Sequence, residues 1–139
     1  MPDQQLITSY LFKVTIPGID EIGYFSRCEG LELSFEVYEY REGGNNELIH
    51  RLPGALTYPN LTLSRGLTNQ SALLKWFSQT QTEAQRKEVT LTLSGGEVER
   101  SWTFAEAFPV RWVGPQITGD GTGVASETLE IAHAGLKLV

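Results

Sequence analysis

A single cysteine, Cys28, excludes an intrachain disulfide framework and leaves a cysteine-based metal site without ligands. It is expected to behave as a small buried hydrophobe. Basic residues are few: four Lys and seven Arg lie scattered through 139 residues, and the formal net charge is −6. That balance gives no basic patch for nucleic acid or an anionic membrane surface. No apolar stretch approaches the ~18 residues of a membrane span. The first residues, Met1 to Ser9, have neither a basic segment nor an apolar one, so a signal peptide is not expected and synthesis and folding in the cytoplasm are. Linkers, internal repeats and low-complexity segments are also missing. With 40% hydrophobic and 20% charged residues, the chain has the composition of one folded domain spanning 1–139.

What is present is alternation. Tyr10, Phe12, Val14 and Ile16 share one face of an extended segment that Pro17-Gly18 ends. Gly23 to Glu29 predicts a short second strand. Leu31 to Arg41 is the clearest strand, with Leu31, Leu33, Phe35 and Val37 on a core face and Glu32, Ser34 and Glu36 opposite. At Val37-Tyr38 the bulky residues change phase, which predicts a β-bulge or twist. The run therefore divides into a core half and an assembly half. Arg41 to Glu47 reads as a turn-rich loop, and the extended pattern from Glu47 stops at Pro53-Gly54. Leu56 to Leu67 reads as the next extended segment, with Leu61, Leu63 and Leu67 inward and Pro59 demoting its first part to an edge or a loop.

One helix follows, capped at Thr68 or Asn69, with Leu73, Leu74, Trp76 and Phe77 inward. It ends near 82–85. Lys87 to Leu93 and Val98 to Phe104 form a hairpin about Ser94-Gly95-Gly96-Glu97. Extended chain continues through Ala105 to Trp112. Gly114 to Gly123 is a loop. Ala125 to Val139 closes the chain as one strand, with Glu127, Leu129, Ile131 and His133 on a common face. About seven or eight strands and one flanking helix predict a mainly β fold, a barrel or sandwich.

Catalytic patterns are sparse. His50 and His133 have no metal-ligand spacing, and no Gly-x-Ser-x-Gly occurs. Gly43-Gly44 and Gly95-Gly96 read as turns, since neither opens a helix. The acid pairs Glu97/Glu99 and Glu127/Glu130 read as exposed charges. A small β-barrel hydrolase would need a pocket at His50 or His133. A carbohydrate-binding module would need Trp102 or Trp112 exposed for stacking. No catalytic, cofactor or metal residue is assigned.

Several ordered runs carry a resemblance across residues 10–139. They are Glu36-Val-Tyr-Glu-Tyr-Arg-Glu-Gly-Gly-Asn45, Leu52-Pro-Gly54, Leu61-Thr-Leu-Ser-Arg-Gly66, Leu74-Lys-Trp-Phe77 and Arg100-Ser-Trp-Thr-Phe-Ala105. Ala107-Phe-Pro109, Trp112-Val-Gly-Pro115 and Glu127-Thr-Leu-Glu-Ile-Ala-His-Ala-Gly-Leu136 complete the set. Each run is weak alone, and their order is specific. The set resembles the inner tube proteins of contractile phage tails and extracellular contractile injection systems.

The resemblance implies a tail-tube fold without catalysis or cofactor. It implies six copies in a ring, rings stacked into a hollow tube, and a contractile sheath outside. A spike or baseplate hub, a terminal cap and effector cargo in the lumen are the other implied partners. Assembly would take place in the bacterial cytoplasm, in a phage tail-like particle that is released or membrane-anchored. A tube-initiating paralogue, forming the first ring on the spike, fits the same runs. The loop from Arg41 to Gly54 corresponds to the family's extended contact loop. Candidate inter-subunit residues are therefore Glu39, Tyr40, Arg41, Glu42, Asn45 and Arg65. Glu32, Ser34 and Glu36 are candidates to face the lumen, where a ring of six would carry about −36.

Overall fold

The computed structural model describes residues 6–7, 9–19, 25–41, 43–44, 48–67, 71–121 and 123–138. Among these, nine strands and one helix follow in the order β1 (Leu11–Thr15), β2 (Arg27–Glu29), β3 (Ser34–Arg41), β4 (Ile49–Thr57), β5 (Leu61–Gly66), α1 (Ala72–Thr82), β6 (Lys87–Gly95), β7 (Val98–Val113), β8 (Ser126–Ala132) and β9 (Leu136–Leu138). The count exceeds the expectation for two reasons. The C-terminal run breaks at 133–135 into β8 and β9, and β4 is a full strand rather than part of a loop.

Seven strands form an antiparallel sheet in the order β1-β6-β7-β8-β5-β2, with β9 also on β7. The 16-residue β7 serves both halves. Its first part pairs with β6 and β9, and its last part with β8. Two irregularities bend it. Phe104 and Ala107 face Val89 and Lys87, so β7 holds one extra residue there, and Glu106 takes φ 48°. Pro109 and Arg111 face the adjacent residues Ile131 and Glu130, which leaves a second extra residue at Val110. Bulges turn a strand from one layer into the next. The two halves close on a core that includes Val14, Ile16, Leu61, Leu63, Val89, Leu91, Phe104, Leu129 and Ile131.

The alternation read from the sequence predicts these inward positions because a strand's side chains repeat every two residues. The Gly95-Gly96 hairpin is present, with Gly96 at φ 64° in the turn. Leu73 and Trp76 of α1 are buried, and α1 packs on β7. Trp76 Nε1–H donates to the Gln85 carbonyl at 3.1 Å and ties down the chain beyond the helix. Leu74 is exposed instead of inward. The buried stripe is 73 and 76, with Phe77 half-buried beside it, and residue 74 is turned about 100° from residue 73. The N-cap is Ser71, while Thr68 and Asn69 lie outside the described residues.

The larger correction concerns Leu31 to Arg41. The strand begins at Ser34, and all eight of its residues are exposed. Leu31 and Leu33 are exposed too, so this run has no core half. β3 pairs with β4 in a separate two-stranded ribbon, outside the larger sheet. Pro53-Gly54 does not stop β4. Phe35 faces Leu56 and Val37 faces Pro53, so the extra residue of the bulge sits in β4, opposite Glu36. The break expected at Val37-Tyr38 is thus not in β3, whose alternation runs on unbroken. A Cβ at Gly54 would come within 2.9 Å of the Glu36 carbonyl oxygen, so glycine is what the bulge accommodates. Proline is tolerated because both strands of a two-stranded ribbon are edges.

β1 and β2, the ends of the larger sheet, do not pair. The seam holds a cleft of about 400 Å³ lined by Phe12, Cys28, Leu31, Leu91 and Trp102 among others. Cys28 is half-buried there, and burial together with nearby Glu29 raises its thiol to a pKa of about 11.

Candidate assembly interface

The register of the β3–β4 ribbon sorts its side chains onto two faces, since residues directly opposite share a face. One face carries Phe35 with Leu56 and Val37 with Pro53, then Glu39 with Arg51 and Arg41 with Ile49. It is apolar near the core and charged toward the tip. The Glu39 Oε1 to Arg51 Nη2 distance is 3.5 Å, a solvent-exposed ion pair. The other face carries Ser34 with Thr57, then Tyr38 with Leu52 and Tyr40 with His50. It is polar near the core and aromatic toward the tip. Thr57 Oγ1–H donates to the Ser34 carbonyl at 3.3 Å, and the Tyr40 and His50 ring centroids are 6.3 Å apart.

Both faces are open. Phe35 is 61% exposed, Tyr38 59% and Val37 57%. A two-stranded ribbon is at best marginally stable in water without a surface to pack on. Burial is worth about 1.5–3 kcal/mol for each large apolar side chain, so covering this ribbon would release on the order of 10 kcal/mol before ordering costs. The ribbon is therefore a surface whose apolar residues are not satisfied within the subunit.

The candidate residues divide. Glu39, Tyr40 and Arg41 stand exposed on the ribbon. Glu42 and Asn45 lie outside the described residues. Glu32, Ser34 and Glu36 are exposed, with Ser34 and Glu36 on the tyrosine face and Glu32 ahead of the strand. Arg65 is buried in the single subunit and not presented on its surface. It is 6% exposed, and its Nε–H donates to Glu127 Oε1 at 2.7 Å. Glu127, expected as an exposed charge, is 3% exposed. Its Oε2 accepts from Trp112 Nε1–H at 3.1 Å, and the Arg65 guanidinium lies 5.2 Å from the Phe25 ring centroid.

The parity of the strands contained this result. Leu61, Leu63 and Arg65 are in phase, as are Glu127, Leu129 and Ile131, and the two inward faces meet in register. Leu52 and Leu56 are surface groups of one strand, although the pattern of the chain ends one segment at Pro53-Gly54 and starts another at Leu56.

Neither alternative, hydrolase or carbohydrate-binding module, gathers a site among the described residues. His50 is on the ribbon, whereas His133 stacks on Tyr58 at the edge of the core. No group of three metal-binding side chains occurs among the described residues. Trp102 and Trp112 are half-buried, and Trp112 is committed to Glu127. No described helix is long and apolar enough to cross a membrane.

The family model of the T4-like virus tail tube protein gp19 matches residues 8–137. A chain in the baseplate of the anti-feeding prophage is similar in structure, with a TM-score of 0.78 and 26% identity over 100% of this chain and 97% of that one. A chain of the sheath-tube complex of PVC, an extracellular contractile injection system in its extended state, has a TM-score of 0.74 and 25% identity over 96% and 93%. Hcp1 from Flavobacterium johnsoniae shares the fold at a TM-score of 0.55 and 14% identity, over 92% of this chain and 94% of that one. Curated proteins give no match.

Proposed function

The chain belongs to the T4-like virus tail tube protein family, a family of structural tube subunits, and from that premise we propose that six copies close into a ring and that rings stack into the inner tube of a contractile injection particle. The observation that carries this reading is the β3–β4 ribbon, which bears exposed apolar groups on both of its faces. One neighbouring surface can cover only one face of a ribbon. Two faces call for two neighbours, as a subunit packed both around a ring and against the next ring would have. Among the described residues, the outer edges of β1 and β2 pair with no strand and add a second means of joining copies, because a free edge pairs readily with another strand. A head-to-tail contact of this kind closes by rotation into a ring.

A sheath around the tube, a spike or baseplate hub below it and a cap above it are the partners this reading includes, with effector cargo in the lumen. Ser34 and Glu36 then face the lumen, and the acidic balance of the ring repels like-charged cargo. Assembly takes place in the bacterial cytoplasm, in one domain spanning the chain. The tube-initiating role is a second reading, supported by the similarity to a baseplate chain. An image of the particle that locates this subunit along the tube separates the two.

The test is polymerisation. Purified protein is expected to give rings or filaments by negative-stain microscopy at high concentration. Phe35→Ser with Val37→Ser is expected to leave a folded monomer that forms neither. A wild-type protein that stays monomeric at every concentration overturns the proposal.

A further inference from the structure

His133 belongs to the His-Ala-Gly stretch that separates β8 from β9, and no part of the assembly reading uses it. Its ring spans two parts of the fold. On one side, Gly135 N–H donates to Nδ1 at 3.2 Å, which requires Nδ1 to be unprotonated. The proton is then on Nε2, which donates to the Pro59 carbonyl at 3.2 Å. The ring stacks on Tyr58 at 4.8 Å between centroids and meets the Phe104 edge at 4.9 Å.

These partners are not equivalent. Phe104 is fully buried in the core. Ala134 and Gly135 are tied to the bend of β7: Ala134 N–H donates to the Ala105 carbonyl at 2.7 Å, and Ala105 N–H to the Gly135 carbonyl at 2.9 Å. Tyr58 and Pro59, by contrast, are the first residues after β4, where the ribbon returns to the core. The ribbon's other leg leaves beside it. Gly30 lies so close to the Asn60 carbonyl oxygen that a Cβ would not fit between them. A change of backbone angle at 58–60 would therefore swing both legs together.

We propose that His133 is the positioning residue that fixes the angle at which the β3–β4 ribbon leaves the core. It holds Tyr58-Pro59 by one hydrogen bond and one ring stack, and is itself held by the bend of β7. A ribbon that reaches neighbouring copies amplifies any angular error at its root over the length of β3. The role rests on the tube reading only for its consequence in assembly. The angle itself is a property of the free subunit.

The decisive measurement is a distance distribution by electron spin resonance in the monomer. Spin labels go on cysteines replacing Glu39, on the ribbon, and Glu97, in the core hairpin turn, with Cys28→Ser in the background. His133→Leu is expected to broaden or shift the distribution. His133→Gln is expected to restore it, because its amide N–H can donate to the Pro59 carbonyl from about where Nε2 lies. His133→Asn places an amide nearer Nδ1 and is expected not to. In assembly, Gln is expected within about twofold of wild type and Asn about tenfold weaker, because a ribbon freed from its intrasubunit bond to Pro59 must be re-ordered at each contact.

Identical distributions in wild type and His133→Leu overturn the proposal. Should the Leu variant fail to fold, identical distributions for Gln and Asn overturn it. Wild-type protein that never polymerises refutes the tube reading instead, and the monomer distances still decide the role of His133.

Discussion

Arg65 Nε lies 2.7 Å from Glu127 Oε1, directly across the β5–β8 ladder, with both side chains buried. The pair is a strut between two neighbouring strands, and Trp112 from β7 joins it through the second carboxylate oxygen. Removing one partner leaves the other charge buried without its counterion. Glu127→Gln or Arg65→Met is expected to destabilise the subunit by about 3–5 kcal/mol in urea denaturation. Arg65→Met combined with Glu127→Leu is expected to recover part of that. Rings should be lost in these variants only in proportion to lost folded protein.

Charge reversal on the ribbon should behave in the opposite way. Glu39→Lys with Arg41→Glu disturbs only exposed groups and one ion pair of the surface kind, with Arg51. Such pairs contribute roughly 0.2–1 kcal/mol. The monomer Tm is expected to move by no more than about 4 °C, while rings and filaments disappear from micrographs. Loss of the folded monomer would sink this division between core and ribbon.

Gly54→Ala tests the bulge. Its Cβ would press on the Glu36 carbonyl oxygen at 2.9 Å. The core lies elsewhere, so thermal unfolding followed by tryptophan fluorescence should be unchanged. Polymerisation, followed by light scattering, should be slowed because the ribbon can no longer keep its local twist.

Cys28 should be a sluggish thiol. With its pKa raised to about 11 by burial and by Glu29, little thiolate is present at pH 8. Higher intrinsic nucleophilicity offsets part of that, leaving iodoacetamide alkylation roughly 20-fold slower in the native subunit than in urea. Equal rates in the two conditions would show that the seam between β1 and β2 is open to solvent.

His133 predicts an acid weakness. Burial lowers its pKa below the usual value of 6.5 and outweighs the hydrogen bond to Pro59. The unfolded chain therefore binds the proton first as pH falls. The contribution from His133 is complete above about pH 6.5 and is lost as pH drops toward and through the lowered folded value. Protonation also removes the Nδ1 lone pair that accepts Gly135 N–H. Denaturation midpoints measured from pH 7.5 to 5 should fall for wild type, and His133→Gln should flatten that slope.

Much of the core could be read directly from the chain. Val14 and Ile16, Leu61 and Leu63, Val89 and Leu91, and Leu129 and Ile131 all point inward as their alternation requires. The helix from Ala72 and the Gly95-Gly96 hairpin were equally legible. Side-chain period and turn chemistry are local properties, so a local pattern is enough to set them. The Arg65–Glu127 pair obeyed the same parity, but two charged residue types suggested surface where register supplied a partner.

For Leu31 to Arg41, the residues alone dictate an extended segment with bulky side chains to bury. They do not dictate what buries those side chains, because an alternating strand has the same pattern against its own core as against another subunit. Phe35 and Val37 stay outside because of the packing of the whole subunit: the larger sheet forms without β3, and Leu56 and Pro53 pair with them in a ribbon that leaves the core. The link from His133 to Pro59 was likewise invisible in the chain, since 74 residues separate two groups that meet only once β7 has bent between them.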